Sequence, residues 1–231
     1  MNALTALKIL LIVTSHDQMG TTQERTGFWL EELAAPYQEF TAAGLQVDIA
    51  SPRGGHAPAD PRSTKETSEA TRAFLADAQA VKKLEHTLVL EQVKDRYDAY
   101  FVVGGHGVMW DLATHAPLHR LLASAYERGA VVAAVCHGPA ALVGVKGSDG
   151  RPLVAGKRVA AFSDEEEQAV KLDKVVPFPL ETRLRELGAR YERGPMWGSF
   201  AVRDGRLITG QNPASSAAAA REVLAALREK K

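Results

Sequence analysis

Three short apolar runs constrain this chain more than any other feature: Lys8 to Thr14, Asp98 to Val103, and Val131 to Val135. Each is continuous rather than alternating, which suits a strand buried on both faces. Between them lie segments of helical character. Thr26 to Ala43 places Trp29, Leu33, Tyr37 and Phe40 on one helical face, with Pro36 expected to kink it and Gly44 to stop it. Val47 to Ala50 reads as a further strand, Pro52 to Ser63 as a long loop, and Glu66 to Leu84 and Pro117 to Arg128 as helices. This βαβαβαβα order predicts an α/β fold, a parallel sheet with helices on both faces. Active sites in such sheets lie at the carboxyl ends of the strands.

Beyond Val135, Arg158 to Phe162 reads as a strand, and Asp164 to Lys171 and Pro179 to Leu187 as helices. Asp204-Gly205 marks a hairpin between Phe200 and Thr209, and Pro213 opens an Ala-rich helix over Asn212 to Leu227. No repeat and no long linker interrupts the 231 residues, so one domain over 1–231 is expected.

The run Val131 to Val135 ends on the only cysteine of the chain, Cys136, followed by His137-Gly138-Pro139-Ala140. A strand turning sharply into a helix lifts its turn residue out at the sheet edge, the geometry of a nucleophile elbow. A helix N-terminus there would favour a thiolate over a thiol, and the adjacent His137 supplies a proton carrier. The turn Gly104-Gly105-His106-Gly107 closes the run that ends at Val103, at a neighbouring strand end. Gly104, Gly105 and His106 are therefore the substrate and oxyanion candidates, together with the N–H of His137. Glu32 falls at the edge of the apolar stripe beside Trp29 and Pro36, whereas Glu31 faces solvent; a carboxyl at a buried edge tends toward a raised pKa. In the acidic run Asp164-Glu165-Glu166-Glu167, most members serve the helix start, and one could orient His137.

Other chemistries find little support. Net charge is +0 with no basic run, against a nucleic-acid partner. The seven histidines form no HExxH, and no CxxC occurs. His115 and His119, four apart, flank Pro117 at a helix start rather than suggest a metal site, and no metal is expected. Trp110, Trp197 and Met196 are assigned to packing. A single cysteine suits a reducing compartment. Met1 to Lys8 lacks a charged n-region, and the apolar run from Ile9 to Val13 is too short for a signal peptide or membrane span, so the expectation is a cytoplasmic protein without a membrane partner.

These residues resemble the DJ-1/PfpI superfamily, and within it the Hsp31-like branch of glutathione-independent glyoxalases. The resemblance is carried by Arg25-Thr26-Gly27-Phe28-Trp29-Leu30-Glu31-Glu32, Gly104-Gly105-His106-Gly107, Ala133 to Pro139, Phe162-Ser163-Asp164 and Asp204 to Ser215. It implies a flavodoxin-like three-layer sandwich with a mostly parallel sheet, commonly a homodimer. It implies that Cys136 is the nucleophile, His137 the triad histidine and Glu32 the glutamate contacting the sulfur. The triad acid falls on Glu167, with Glu166 and Asp164 as alternatives in the same run. The activity implied is conversion of a small 2-oxoaldehyde such as methylglyoxal to the 2-hydroxy acid, with no cofactor, metal or glutathione. Chaperone, protease and deglycase roles are also associated with the family. A low-pKa thiolate beside a carboxylic acid would also be prone to oxidation.

Overall fold

The computed structural model describes residues 7–65, 68–93 and 96–229. Met1 to Ala6, the start of the segment expected to carry no leader, lie outside the described residues. In chain order the elements are β1 (Lys8–Ile12), α1 (Leu30–Ala42), β2 (Gln46–Ser51), α2 (Glu69–Ala76), α3 (Ala78–Glu85), β3 (Leu88–Val89), β4 (Ala99–Val102), α4 (Ala116–Glu127), β5 (Val131–Val135), β6 (Arg158–Val159), α5 (Asp164–Ala169), α6 (Leu180–Glu186), β7 (Arg190–Tyr191), β8 (Ala201–Asp204), β9 (Leu207–Gly210) and α7 (Ser216–Glu229).

Seven strands form one sheet in the order β3-β2-β1-β4-β5-β9-β8, parallel except for the antiparallel edge hairpin β8–β9. The three apolar runs became its centre. Side chains alternate between two cores: Ile9, Leu11, Phe101 and Ala133 face α1, α2 and α7, while Leu10, Ile12, Tyr100 and Val132 face α4 and α6. Burial on both faces explains why these strands read as unbroken apolar runs. The result is the expected flavodoxin-like, mostly parallel sandwich. Among the described residues no helix is long and apolar enough to cross a membrane.

Several elements differ from expectation for local reasons. The helix expected from Thr26 begins at Leu30, because the preceding amides bond elsewhere: Thr26 N to Asp17 O, Phe28 N to Pro58 O and Trp29 N to Gly104 O. It then runs on through Pro36 to Ala42. The single helix expected over Glu66 to Leu84 is two helices, with Glu66 itself outside the described residues. Asp77 is extended and its side chain accepts from Gln79 N and Ala80 N, capping α3 and ending α2. The strand expected to reach Phe162 stops at Val159 and pairs with β7 in a separate two-stranded sheet, since Ala160 N bonds to the side chain of Thr209 at 2.8 Å. Residues 138–142 form a 3-10 turn in place of an α-helix, and Pro213 opens a 3-10 turn that leads into α7. The short strand β3 was not expected.

Candidate active site

Cys136 sits at the carboxyl end of β5 with φ of 60°, the left-handed region that a side chain adopts only under constraint. The constraint is visible on both sides: Cys136 N donates to Gly210 O and its carbonyl accepts from Phe162 N, each at 2.9 Å. The elbow is thus pinned between β9 and the chain entering α5. Gly104 and Gly105 end the neighbouring strand β4. A methyl on Gly104 would run into Glu32 Oε2, the Val135 carbonyl and Cys136 Cβ; one on Gly105, at φ 102°, would strike Gly27 O and Trp29 N. Only glycines allow three chain segments to meet here.

From the elbow a line of hydrogen bonds runs outward. Cys136 Sγ lies 3.3 Å from His137 Nδ1, and His137 Nε2 lies 2.7 Å from Glu167 Oε2. His137 is fully buried under the Phe162 ring, with centroids 4.4 Å apart. Of the acidic run, only Glu167 meets His137. Glu166 closes the N-terminal capping box of α5 with Ser163 and accepts from Trp197 N, Gln211 Nε2 and Asn212 Nδ2. Asp164 accepts from Thr182, and Glu165 pairs with Arg193. The second oxygen of Glu167 reaches His106 Nε2 at 2.8 Å, and His106 Nδ1 in turn lies 3.2 Å from Arg62 Nη2. His106 therefore lines the site with both ring nitrogens engaged, which leaves its ring no donor for an oxyanion.

Glu32, in the first turn of α1, is completely buried on the other side of the sulfur. Neither of its oxygens has a hydrogen bond of ordinary geometry, and the carboxyl lies against Cys136 and the backbone of Gly104. Burial, the dominant influence, raises its pKa from 4.5 to about 8. The helical stripe placed Glu32 at a boundary; the end of β4 covers the polar side and makes it interior.

The cysteine departs from expectation. Burial pushes the thiol up, and the charge of Glu32 adds to this, while the N–H of Gly105 opposes them. The short 3-10 turn after the elbow does not overcome desolvation. The contribution of Glu32's charge applies only where that carboxyl is ionised; with its proton in place it is a donor beside the sulfur. Burial would also raise Glu167, but His137 and His106 outweigh it and hold the carboxylate below its usual range. His106 is lowered to about 4, first by burial and then by His137.

The site opens into a cavity of about 570 Å³ walled by Trp29, Phe162, Val170 and Trp197 on the apolar side and by Arg62 and His106 on the polar side, with Cys136 in its lining. Trp197, assigned to packing, is thus a cavity residue; Trp110 does pack, stacked on His16 at 5.3 Å. Sequence reasoning also missed Arg62, Asp60 and Phe162. His115 caps α4 by accepting from Leu118 N, and His119 Nε2 lies 3.1 Å from Leu112 O, so that pair is structural. Among the described residues, His106, His137 and Glu167 alone group metal-binding atoms, within 4.8 Å of one another. Their separations of 2.7 and 2.8 Å are those of shared protons, and hydrogen bonding accounts for the cluster.

Residues 25–226 match the DJ-1/PfpI family. The chain is 31% identical over 233 residues to the glutathione-independent glyoxalase HSP31 of Saccharomyces cerevisiae, covering 96% of this chain and 98% of that protein. Among solved structures it is similar to glyoxalase III of Candida albicans, with a TM-score of 0.86 and 28% identity over 95% of this chain and 97% of the other. It is also similar to Rapid Encystment Protein 24 KDa of Francisella tularensis, with a TM-score of 0.92 and 38% identity over 96% and 99%.

Proposed function

Because the chain belongs to the DJ-1/PfpI family, we propose that it is a glutathione-independent glyoxalase, converting methylglyoxal or a related 2-oxoaldehyde to the 2-hydroxy acid at Cys136. The observation that carries this reading is the placement of two proton carriers on the sulfur. His137 is backed by Glu167, and Glu32 has a pKa near 8. An isomerisation that moves a proton between adjacent carbons needs such a pair.

In the proposed reaction Cys136 Sγ–H gives its proton to His137 Nδ1, and the sulfur bonds to the aldehyde carbon C1. The carbonyl oxygen takes up the proton, giving a hemithioacetal. The N–H groups of the Gly104-Gly105 turn, of which that of Gly105 lies against the sulfur, and of His137 are the donors proposed for the developing oxyanion. His137 then removes the C1 proton while Glu32 protonates the C2 oxygen, giving an enediol. Return of a proton to C2 and loss of the C1 hydroxyl proton give a thioester. Water hydrolyses the thioester to lactate and restores the thiol. Water is the only co-reactant the balance requires. Relatives named glutathione-independent glyoxalase at similar length support the same reading. The proposal includes a homodimer acting in the cytoplasm, which sedimentation and fractionation test. For the chemistry, Glu32→Gln should abolish lactate formation from methylglyoxal; undiminished turnover would refute the role of Glu32.

A further inference from the structure

Two imidazoles share one carboxylate in this site. Glu167 meets His106 Nε2 at 2.8 Å and His137 Nε2 at 2.7 Å, both rings are buried, and their centroids stand 4.0 Å apart. By distance, burial and partner the two are nearly equivalent, and like charges so close cannot both form readily. Their outer nitrogens break the tie. His137 Nδ1 faces the thiol of Cys136, a source of a proton. His106 Nδ1 faces Arg62 Nη2 at 3.2 Å, and a guanidinium only donates. That nitrogen of His106 must present its lone pair, so its one proton sits on Nε2 and a second has no place to bind. The geometry points to Arg62 as a positioning residue that keeps His106 neutral and reserves the charge of Glu167 for the imidazolium formed when Cys136 gives its proton to His137.

Arg62 is held for this role. Its Nε and Nη2 fork onto Asp60 at 2.9 and 2.7 Å, and Asp60 is fully buried and accepts from Thr26 Oγ1. Asp60 N bonds to Phe28 O, which laces this loop to the segment entering α1. Among the described residues, the charged and titratable groups around His106 are Arg62, with Asp60 and Glu24 near it, Glu167 from α5, and His137 with Cys136 from the elbow. Among the described residues, Glu167 draws a proton onto His106, while burial, His137 and Arg62 oppose. The inference rests on the reading of Cys136 as the nucleophile.

The test uses the full chain labelled with ¹⁵N-histidine. Ring-nitrogen NMR is followed through a pH titration, and the rate at which iodoacetamide alkylates the only cysteine is measured in parallel. Neither readout needs a substrate, so a failure of the glyoxalase reading and a failure of this inference are distinguishable. In Arg62→Gln, whose amide can accept as well as donate, the His106 midpoint should rise by about one pH unit or more. Cys136 alkylation near pH 5, where about half of His106 then carries a second proton and competes for Glu167, should slow about twofold or more. Arg62→Lys keeps a donor-only cation and should hold the midpoint low. An unchanged His106 midpoint in Arg62→Gln would overturn the inference. Losing Arg62 leaves Asp60 buried without its counter-ion. Should that variant not fold, Asp60→Asn/Arg62→Gln removes both charges and is read by the same criterion.

Discussion

At the scale of single residues, Glu32 shows how a fold changes an ordinary side chain. Its carboxyl titrates near 4.5 in an open chain and near 8 in the fold, chiefly through burial. Between those values the folded protein retains a proton that the unfolded chain has released, so stability falls as pH rises through the window. Glu32→Gln removes this effect. Its unfolding free energy should exceed that of the wild type near pH 8 by on the order of a few kcal/mol, with a higher melting temperature to match, and converge with it near pH 5. Equal melting temperatures at both ends would show that Glu32 ionises as freely as a surface carboxyl. Gly104 makes a second test, because any side chain there meets Glu32 and the Val135 carbonyl. Gly104→Ala should cost about 1–3 kcal/mol in a denaturant titration and remove turnover by displacing Glu32. Cys136, His137 and the boundary position of Glu32 were legible because each follows from neighbours along the chain. Arg62–His106 and His106–Glu167 join residues 44 and 61 apart, and no local pattern announces them.

At the scale of elements, α5 has six residues and owes its start to the capping box of Ser163 with Glu166. It also carries Glu167, so its N-terminus sets the site's geometry. Ser163→Ala should lower stability by about 1 kcal/mol, as loss of a cap does, and lower kcat more than it raises KM. Unaltered kinetics at the reduced stability would detach the cap from the chemistry. The acidic run at 164–167 announced a helix start but not which acid turned inward, since four successive carboxylates point to different sides of one turn. The break at Asp77 was legible in principle, because an aspartate ahead of Ala78 is a good cap. The shortened β6 was not, because its ladder ends on the hydroxyl of Thr209 from β9.

At the scale of the whole molecule, the continuous apolar runs specify the sheet and its parallel sense. The sheet brings the ends of β4 and β5 and the start of α1 to one edge, and the site lies there. The sequence order alone left strand order open: β1 is flanked by β2 and β4, so the chain reverses direction across the sheet between them. That reversal sets Glu32, which follows β1, beside the elbow that follows β5. A role as a holding chaperone would survive loss of the thiol, whereas the proposed chemistry would not. The most direct test is therefore lactate formation from methylglyoxal, with neither glutathione nor added metal, in the wild type and in Cys136→Ala. The account predicts lactate from the wild type and none from the variant. No lactate from the wild type, or equal amounts from both, would contradict it.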